Sequence, residues 1–123
     1  MKLMIKYELM DFNTFQDETR KNKYIGAKIK KRETNKVAWS CKACKVKKLE
    51  GLYDYEFTWY CLNRRKDKDN IMFAQKFIFD GLQEAGIIEN DGWNQIGDIR
   101  HKFVVDKNNP RIEVTATKAK EEK

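Results

Sequence analysis

The chain has 123 residues, of which 37% are charged and 12% aromatic, and its formal net charge is +7. This length fits one domain with a modest core. The composition excludes a disordered chain and a membrane protein, because no apolar run approaches the roughly 20 residues of a spanning helix. A lysine interrupts the first apolar residues too early for a secretory signal, and three cysteines in such a chain indicate a reducing compartment. We therefore expect a cytoplasmic protein that binds no membrane.

The positive charge is concentrated between residues 20 and 48, where twelve lysines and arginines accompany a single acid, Glu33. Their local balance of +11 exceeds that of the whole chain, and such a stripe is typical of proteins that bind a phosphate backbone. A solvated, lysine-rich helix is the alternative explanation. With three further cations at residues 64–66, the residues that we expect to contact nucleic acid are Arg20, Lys21, Lys23, Lys28, Lys30, Lys31, Arg32, Arg64, Arg65 and Lys66.

The first predicted elements are a strand and a helical region. Apolar residues alternate from Leu3 to Leu9, which predicts a half-buried strand. Asn13 is a good helix N-cap, with Gln16 in the capping-box position. The apolar positions that follow form two groups separated by the polar residues 30–36. We therefore expect either two helices or one long helix with an exposed, cationic middle.

Cys41 and Cys44 have the spacing of half a zinc site. With Val37 they are spaced i, i+4, i+7, which places both sulfur atoms on the apolar face of a helix. Cys61 and His101 are the other soft ligands and offer no second paired spacing, so we favour packing over zinc binding.

The clearest strand in the sequence runs from Leu52 to Leu62. Aromatic residues occupy one face and mostly polar residues the other, which predicts one buried face. The aromatic rings could stack on bases, but the polar opposite face favours a role in the core. The strand leads directly into the cations at residues 64–66 and so delivers Asp67 and Asp69 to the end of a sheet.

A second helical region and two strands follow. Asn70 is predicted to cap a helix that Gly86 closes, and a turn at residues 90–92 leads to a third strand. His101 lies on one face of that strand with apolar neighbours, so we assign it a structural role. Residues 106–110 are predicted to be a hairpin loop into a fourth strand.

These elements predict an α/β (α+β) fold, with a small mixed sheet of about four strands and two main helical regions. We assign residues 1–117 to a single domain and residues 118–123 to a charged tail that frays.

Asp67 and Asp69 form the most distinctive polar pair. In extended backbone, residues two apart point the same way, so both carboxylates can face one point. Their oxygens suit a hard cation such as Mg²⁺, with Mn²⁺ able to replace it. Asp91 would add a ligand if the third strand started beside the end of the second. Lys76 would face the site from the helix, held by an i,i+4 pair with Asp80.

Such a site suits hydrolysis of a phosphodiester bond. A metal held by carboxylates activates a water molecule and stabilises the charge that develops on the phosphate, while Lys76 positions that phosphate. The alternative is a solvated turn, since Asp-x-Asp-Asn occurs in loops and caps helices well.

The same residues carry a resemblance to a known family. The ordered segments are Asp67-Lys-Asp69-Asn70, then Lys76-x-x-x-Asp80-Gly-Leu-x-x-Ala-Gly86-Ile-Ile-x-x-Asp91, and finally Asn109-Pro110-Arg111-Ile-Glu-Val. They resemble the RusA family of Holliday-junction resolvases, which is common in phages and prophages and acts in DNA recombination and repair. The match is specific from Arg64 to Thr117 and looser upstream.

The resemblance implies a magnesium-dependent homodimer with a small α/β fold that resolves four-way DNA junctions by paired incisions. It implies that Asp67, Asp69 and Asp91 bind the metal and that Lys76 assists. It also implies that no small-molecule cofactor is needed and that a phage-encoded member acts in the host cytoplasm. Two features depart from the best-known member: the spacing before Lys76 is longer, and Asn90 stands where that member has a second aspartate.

Two other functions remain open from the residues alone. A metal nuclease acting on flaps, forks or ordinary duplex would use the same acids with a different DNA geometry. A non-catalytic nucleic-acid-binding module would use them only to cap a helix.

Overall fold

The computed structural model describes residues 1–120. Within that range the chain forms four strands and four helices. In chain order the elements are β1 (Lys2–Ile5), α1 (Phe12–Lys21), α2 (Ile25–Ala43), β2 (Tyr53–Cys61), α3 (Lys68–Met72), α4 (Gln75–Glu84), β3 (Ile96–Val105) and β4 (Arg111–Lys118). No helix between residues 1 and 120 is long and apolar enough to cross a membrane.

The four strands form one sheet in the order β1-β4-β2-β3. β4 pairs antiparallel with β1 and β2, whereas β2 and β3 are parallel. The predicted mixed α+β fold is therefore confirmed. The predicted hairpin before β4 is wrong, because β4 and β3 lie on opposite sides of β2. Residues 106–110 instead cross the end of β2, where the Asp106 amide donates to the Cys61 carbonyl at 2.8 Å.

The core lies between one face of the sheet and the helices. Along β2, the side chains of Tyr55, Phe57 and Trp59 are buried, as their alternation with polar residues predicts. Phe79 of α4 packs edge-on against Tyr55 and Phe57, with ring centroids 5.2 and 5.6 Å away. The polar alternates of β2 lie on the opposite face of the sheet.

The first helical region is divided earlier than the sequence predicted. Asp11, rather than Asn13, is the N-cap of α1, and its Oδ1 accepts a hydrogen bond from the Thr14 amide at 2.7 Å. The break before α2 falls at residues 22–24, while the polar segment 30–36 remains helical. That segment is tolerated because Glu33 turns inward, where its carboxylate is bound by Lys36, Arg32 and the Met10 amide.

The two cysteines of α2 lie in different environments. Cys41 is buried, and burial, aided by the nearby Cys44 thiol, raises the pKa of the Cys41 thiol to about 11. Cys44 is exposed at the end of the helix, where its thiol donates to the Met4 carbonyl at 3.6 Å. The expectation that both sulfur atoms lie on the apolar face is therefore wrong for Cys44, because α2 ends at Ala43.

The second helical region is two helices rather than one. Asp67 occupies the N-cap of α3, three residues before the predicted cap Asn70, and the chain turns at residues 73–74 before α4 begins. α4 packs closely on α2 at Gly81, where a Cβ would collide with the Val37 side chain. Gly86 closes α4 with a φ of +73°, as the sequence predicted.

The end of the described chain is hydrogen-bonded. β4 includes Lys118, whose Nζ donates to the Glu50 carbonyl at 2.6 Å, and the Ala119 amide donates to the Leu52 carbonyl. The first residues of the predicted tail are therefore held to the domain, and residues 121–123 lie outside the described residues.

Candidate metal and nucleic-acid site

Asp67 and Asp69 line one cleft of about 660 Å³ at the carboxyl end of β2 and β3, which we call the acidic cleft. It lies there because β2 and β3 are parallel and end side by side, and the chain leaves β2 directly into the loop that carries both acids. Its lining residues are Cys61, Asn63, Arg64, Lys66, Asp67, Lys68, Asp69, Ile71, Phe103, Val104 and Val105.

The two acids reach the cleft in a different way from the one predicted. Asp67 is extended, but Asp69 lies in the first turn of α3, so the pair flanks a helix start rather than following a strand. The Asp67 carboxylate has no hydrogen-bond or ion-pair partner within residues 1–120. The Asp69 Oδ1 accepts one bond, from the Asn70 amide at 2.9 Å. Most of their oxygen lone pairs are therefore free to bind a ligand.

Asn70, the third polar residue of the motif, has a structural role. It is buried, and its Oδ1 accepts a hydrogen bond from the Asn13 amide at 2.8 Å. This contact satisfies one of the free amides in the first turn of α1. Asn70 thereby joins the start of α1 to α3 and fixes the helix turn that carries Asp69.

Asp91 lies at the opposite end of the sheet. The Tyr53 amide at the start of β2 donates to the Gln95 carbonyl, and Tyr53 pairs with Ile96 at the start of β3. The third strand thus starts beside the start of the second, and the condition for Asp91 to join the other two acids is not met within one chain. The length of β2, roughly 26 Å for nine residues, separates Asp91 from Asp67. Within residues 1–120, no three acidic, histidine or cysteine side chains are grouped so that they could hold a metal.

Lys76 does not line the acidic cleft. The predicted i,i+4 pair exists, with the Lys76 Nζ 3.6 Å from Asp80 Oδ1, and Lys30 approaches Asp80 Oδ2 at the same distance. Asp80 therefore draws Lys76 toward α2. The turn at residues 73–74 causes this, since it interrupts the helical periodicity on which the prediction depended.

Lys68 is the cation that the sequence reading missed. It lines the acidic cleft, and its Nζ lies 5.5 Å from the centroid of the Phe103 ring. The face of an aromatic ring attracts an ammonium group electrostatically, which helps to hold Lys68 at the cleft. The sequence signal for Lys68 was its position between Asp67 and Asp69. That position places its backbone at the cleft and, unlike the position of Lys76, does not depend on an unbroken helix.

Lys66 is held by carboxylates of its own. Its Nζ lies 2.7 Å from Asp11 Oδ2 and 3.6 Å from Glu8 Oε1. Burial alone would raise the pKa of the Asp11 carboxyl, but hydrogen bonds from Lys66 and Thr14 outweigh it and lower that pKa. The hydrogen bond that Lys66 donates to Asp11 in turn raises the pKa of Lys66. Lys66 is therefore charged, and it ties the loop before α3 to the start of α1.

Glu33, the acid within the basic stripe, is fully buried at 1% exposure. Its Oε1 accepts from the Met10 amide at 2.6 Å, and its Oε2 lies 2.8 Å from Lys36 Nζ and 3.0 Å from Arg32 Nε. Burial opposes its ionisation, but these bonds from Lys36, Arg32 and Met10 outweigh burial and lower the pKa of the Glu33 carboxyl. Glu33 thus anchors the middle of α2 beside the β1–α1 connection.

The predicted nucleic-acid-contacting cations are exposed and differ in their partners. Lys21, Lys30, Arg32 and Lys66 form ion pairs with Glu18, Asp80, Glu33 and Asp11, respectively. Within residues 1–120, the cations of this set that form no ion pair are Arg20, Lys23, Lys28, Lys31, Arg64 and Arg65. A depression between α2 and the start of α1, lined by Arg32, Lys36 and Lys66, places the middle of α2 at the same end of the molecule as the acidic cleft.

His101 packs among aromatic rings instead of lining the cleft. Its Nδ1 accepts a hydrogen bond from Trp59 Nε1 at 3.0 Å, and its ring stacks on Phe57 at 5.2 Å. Burial lowers the pKa of the His101 imidazole, which keeps the ring neutral and able to accept that bond.

The chain was compared with known proteins by sequence. No protein-family model matches it, and neither does any curated protein.

Proposed function

We propose that this chain is a metal-dependent endonuclease that cuts branched DNA and resolves four-way junctions as a homodimer. The observation that carries the proposal is the acidic cleft, in which two exposed carboxylates lie among the cations Arg64, Lys66 and Lys68. Carboxylates without protein partners suit a metal ion, and neighbouring cations suit a phosphate. We place this activity in the cytoplasm, or in the host cytoplasm for a phage-encoded protein.

The donor set fits a magnesium ion. Asp67 and Asp69 offer oxygen ligands, and Mg²⁺ typically takes one or two protein carboxylates and fills the remaining positions with water and substrate phosphate. Bound there, Mg²⁺ or Mn²⁺ would lower the pKa of a water molecule and stabilise charge on the phosphate. Lys68 would bind the phosphate from the Phe103 side, and Arg64 would hold the strand at the mouth of the cleft.

A second copy is needed to bring Asp91 to the cleft. β3 is an edge strand, so one side of its backbone is unpaired within the described residues. Its neighbours are unusually apolar for an exposed edge: Trp93 is 90% exposed, and Ile99 and Val105 are 40% and 47% exposed. Ile99 and Val105 lie on the face of the sheet that packs against the helices, because their partners in β2 are Tyr55 and Cys61. Pairing of two β3 strands would cover this surface and remove both edges.

Antiparallel pairing has a direct consequence for the acids. In a two-fold dimer the end of β3 in one copy lies beside the start of β3 in the other. The acidic cleft adjoins the end of β3, at Val105, and Asp91 precedes the start. Each cleft would therefore receive Asp91 from the second copy. Two equivalent sites related by a two-fold axis are also what paired incisions across a junction require.

The cations of α1 and α2 would bind the arms of the branched substrate. Glu33 binds the middle of α2 to the β1–α1 connection, and Lys66 binds the loop before α3 to the same connection. Lys28 and Lys31, which form no ion pair within residues 1–120, come shortly before Glu33 in α2. A phosphate backbone that enters the acidic cleft would pass near this surface, and each neutralised phosphate would release counterions.

A cleavage assay tests the nuclease proposal. The purified chain is incubated with a labelled four-way junction, a flap and a linear duplex, each with and without Mg²⁺. We expect symmetrical, metal-dependent nicking of the junction, and Asp69→Asn is expected to reduce its rate at least about 100-fold while junction binding persists. Asp17→Asn, an exposed acid on α1 outside the cleft, is the matched control.

The outcomes separate the rival functions. Cleavage confined to flaps or duplex would replace the junction with another DNA substrate. Binding without cleavage by the wild-type chain would favour the non-catalytic module. Cleavage that Asp69→Asn leaves unchanged would remove the acidic cleft from the mechanism.

A mixing experiment tests whether Asp91 acts from a second copy. Asp69→Asn and Asp91→Asn chains are each expected to be inactive. In a mixed dimer one cleft would be intact, so the mixture should recover nicking at about a quarter of the wild-type rate. A mixture of Asp67→Asn and Asp69→Asn chains, both altered in the same cleft, is the control and should recover nothing. If the first mixture recovers no nicking although size measurements on tagged chains show that mixed dimers have formed, Asp91 does not act from the second copy.

A further inference from the structure

A second cleft lies against the acidic cleft, on the other side of the loop at residues 62–67. It measures about 260 Å³, and we call it the aromatic cleft. It lies where β1 ends, β4 begins and β2 ends, because β4 sits between the other two strands in the sheet. Its lining residues are Tyr7, Glu8, Trp59, Tyr60, Cys61, Leu62, Asn63, Lys66, Ile71, Pro110, Arg111 and Ile112.

The two clefts are adjacent, because four residues line both of them. Cys61, Asn63, Lys66 and Ile71 belong to each lining. A strand whose phosphate lies beside Asp67 would therefore have its nearest base within reach of the aromatic cleft.

The chemistry of the walls is that of a stacking site. Tyr7 and Leu62 both line this cleft and are 45% and 57% exposed, which is unusual for large apolar side chains. Tyr60 adds a ring that the Arg111 guanidinium covers at 3.7 Å, so only part of that ring is free. Aromatic rings of this kind stack on nucleobases with little dependence on which base is present.

Polar groups at the rim of the aromatic cleft can form hydrogen bonds with the edge of a base. The Asn63 Oδ1 accepts from the Arg65 amide at 3.0 Å, which leaves the Asn63 amino group free to donate. Glu8 presents a carboxylate that can accept from an exocyclic amino group, and Lys66 supplies a donor. The same cleft therefore offers an apolar slot, a donor and an acceptor.

The size of the cleft limits the ligand. Its volume lies just below the range of roughly 300–1,000 Å³ that is typical of small-molecule sites, which suits one planar ring system. Bases at a branch point are the least costly to unstack, because their pairing is already interrupted.

We propose that the aromatic cleft binds one unstacked nucleobase of the DNA strand whose phosphate lies in the acidic cleft. This inference rests on the proposed nuclease function and adds a source of sequence preference at the cut. Tyr7 and Leu62 form the apolar walls, and Asn63 and Glu8 contact the edge of the base.

An abasic-site scan tests the proposal by binding rather than by cleavage. Four-way junctions carry a single abasic nucleotide at each position flanking the branch, and their affinities are measured without divalent metal so that the strands stay intact. For the wild-type chain, removal of the base that enters the cleft should weaken binding roughly five- to 100-fold at one position and little elsewhere. For Tyr7→Ala, the same abasic position should cause no further loss.

Two other variants make the scan decisive. Leu62→Ala is expected to behave like Tyr7→Ala, and because both side chains are exposed, neither change should unfold the chain. Tyr24→Ala alters a tyrosine that is 72% exposed at the start of α2 and should retain the wild-type position dependence. A flat scan for the wild-type chain, or an equal loss at the same position for Tyr7→Ala, would overturn the base site. Failure of the nuclease proposal would be a different result, namely that the chain cleaves no branched substrate in the presence of metal.

Discussion

Two pairs of carboxylates lie at the same end of the molecule and have opposite environments. Asp11 and Glu33 are buried, and each is bound by a lysine and a backbone amide. Asp67 and Asp69 are exposed and together accept one local hydrogen bond. The first pair has its hydrogen-bonding capacity filled by the protein, so it contributes to stability. The second pair is left open, and only a ligand can use it.

The contrast predicts that the two pairs fail differently when they are neutralised. Glu33→Gln leaves Lys36 and Arg32 beside a neutral amide and should reduce the free energy of unfolding by about 2–3 kcal/mol, which lowers the Tm by about 10 °C. Asp67→Asn should leave the Tm within about 2 °C of wild type, since its carboxylate has no partner to lose. Thermal denaturation followed by circular dichroism measures both.

Glu84→Gln is the matched control for this comparison, because Glu84 is exposed on α4 and forms no ion pair within residues 1–120. A large loss of stability in Asp67→Asn would show that the acidic cleft also stabilises the fold, which would contradict the proposed difference between the two pairs of carboxylates.

The second prediction concerns which lysine serves the open pair. Lys68→Ala should reduce the rate of junction cleavage about 10- to 100-fold, because its ammonium group lies in the acidic cleft. Lys76→Ala should reduce it by less than about threefold, since Asp80 holds Lys76 toward α2. Single-turnover cleavage of a labelled junction measures both rates. The reverse order would mean that the helix carrying Lys76 moves when DNA binds.

The third and smallest effect is in the acid denaturation of the chain. The pKa values of Asp11 and Glu33 are lowered on folding, so the stability they contribute is present above about pH 4 and is lost as the pH falls through their folded pKa values. Urea unfolding at pH 6, 4 and 3 should therefore show a stability gap between wild type and Glu33→Gln that narrows by about 1 kcal/mol toward low pH. A gap that stays constant would assign the effect to packing rather than charge.

Much of the fold could be predicted because its signals are local. The alternation around Phe57 and Val114 identifies strands whose buried faces the structure confirms, and Gly86 marks the end of α4. The helix starts were less predictable, because Asp11 and Asn13 are both good caps and packing decides between them. The buried Asn70, which binds the Asn13 amide, makes the earlier cap the better one.

The candidate site could be predicted only in part. The aspartates at residues 67 and 69 do share a cleft, but the location of Asp91 depends on strand order, which no local pattern reveals. A signal did exist: two strands joined through a helical segment of more than a dozen residues are normally parallel. That rule places the start of β3 beside the start of β2, far from Asp67, and so predicts that Asp91 lies apart from the other two acids within one chain.

The length of β3 has a consequence for the substrate. In the dimer that we propose, the two acidic clefts lie at opposite ends of the paired β3 strands, so the ten residues of one strand set their separation at roughly 30 Å. This is close to one turn of B-form DNA, about 34 Å. The sheet edge would then act as a spacer that fixes how far apart the two incisions fall, and inserting two residues into β3 would shift one cut relative to the other.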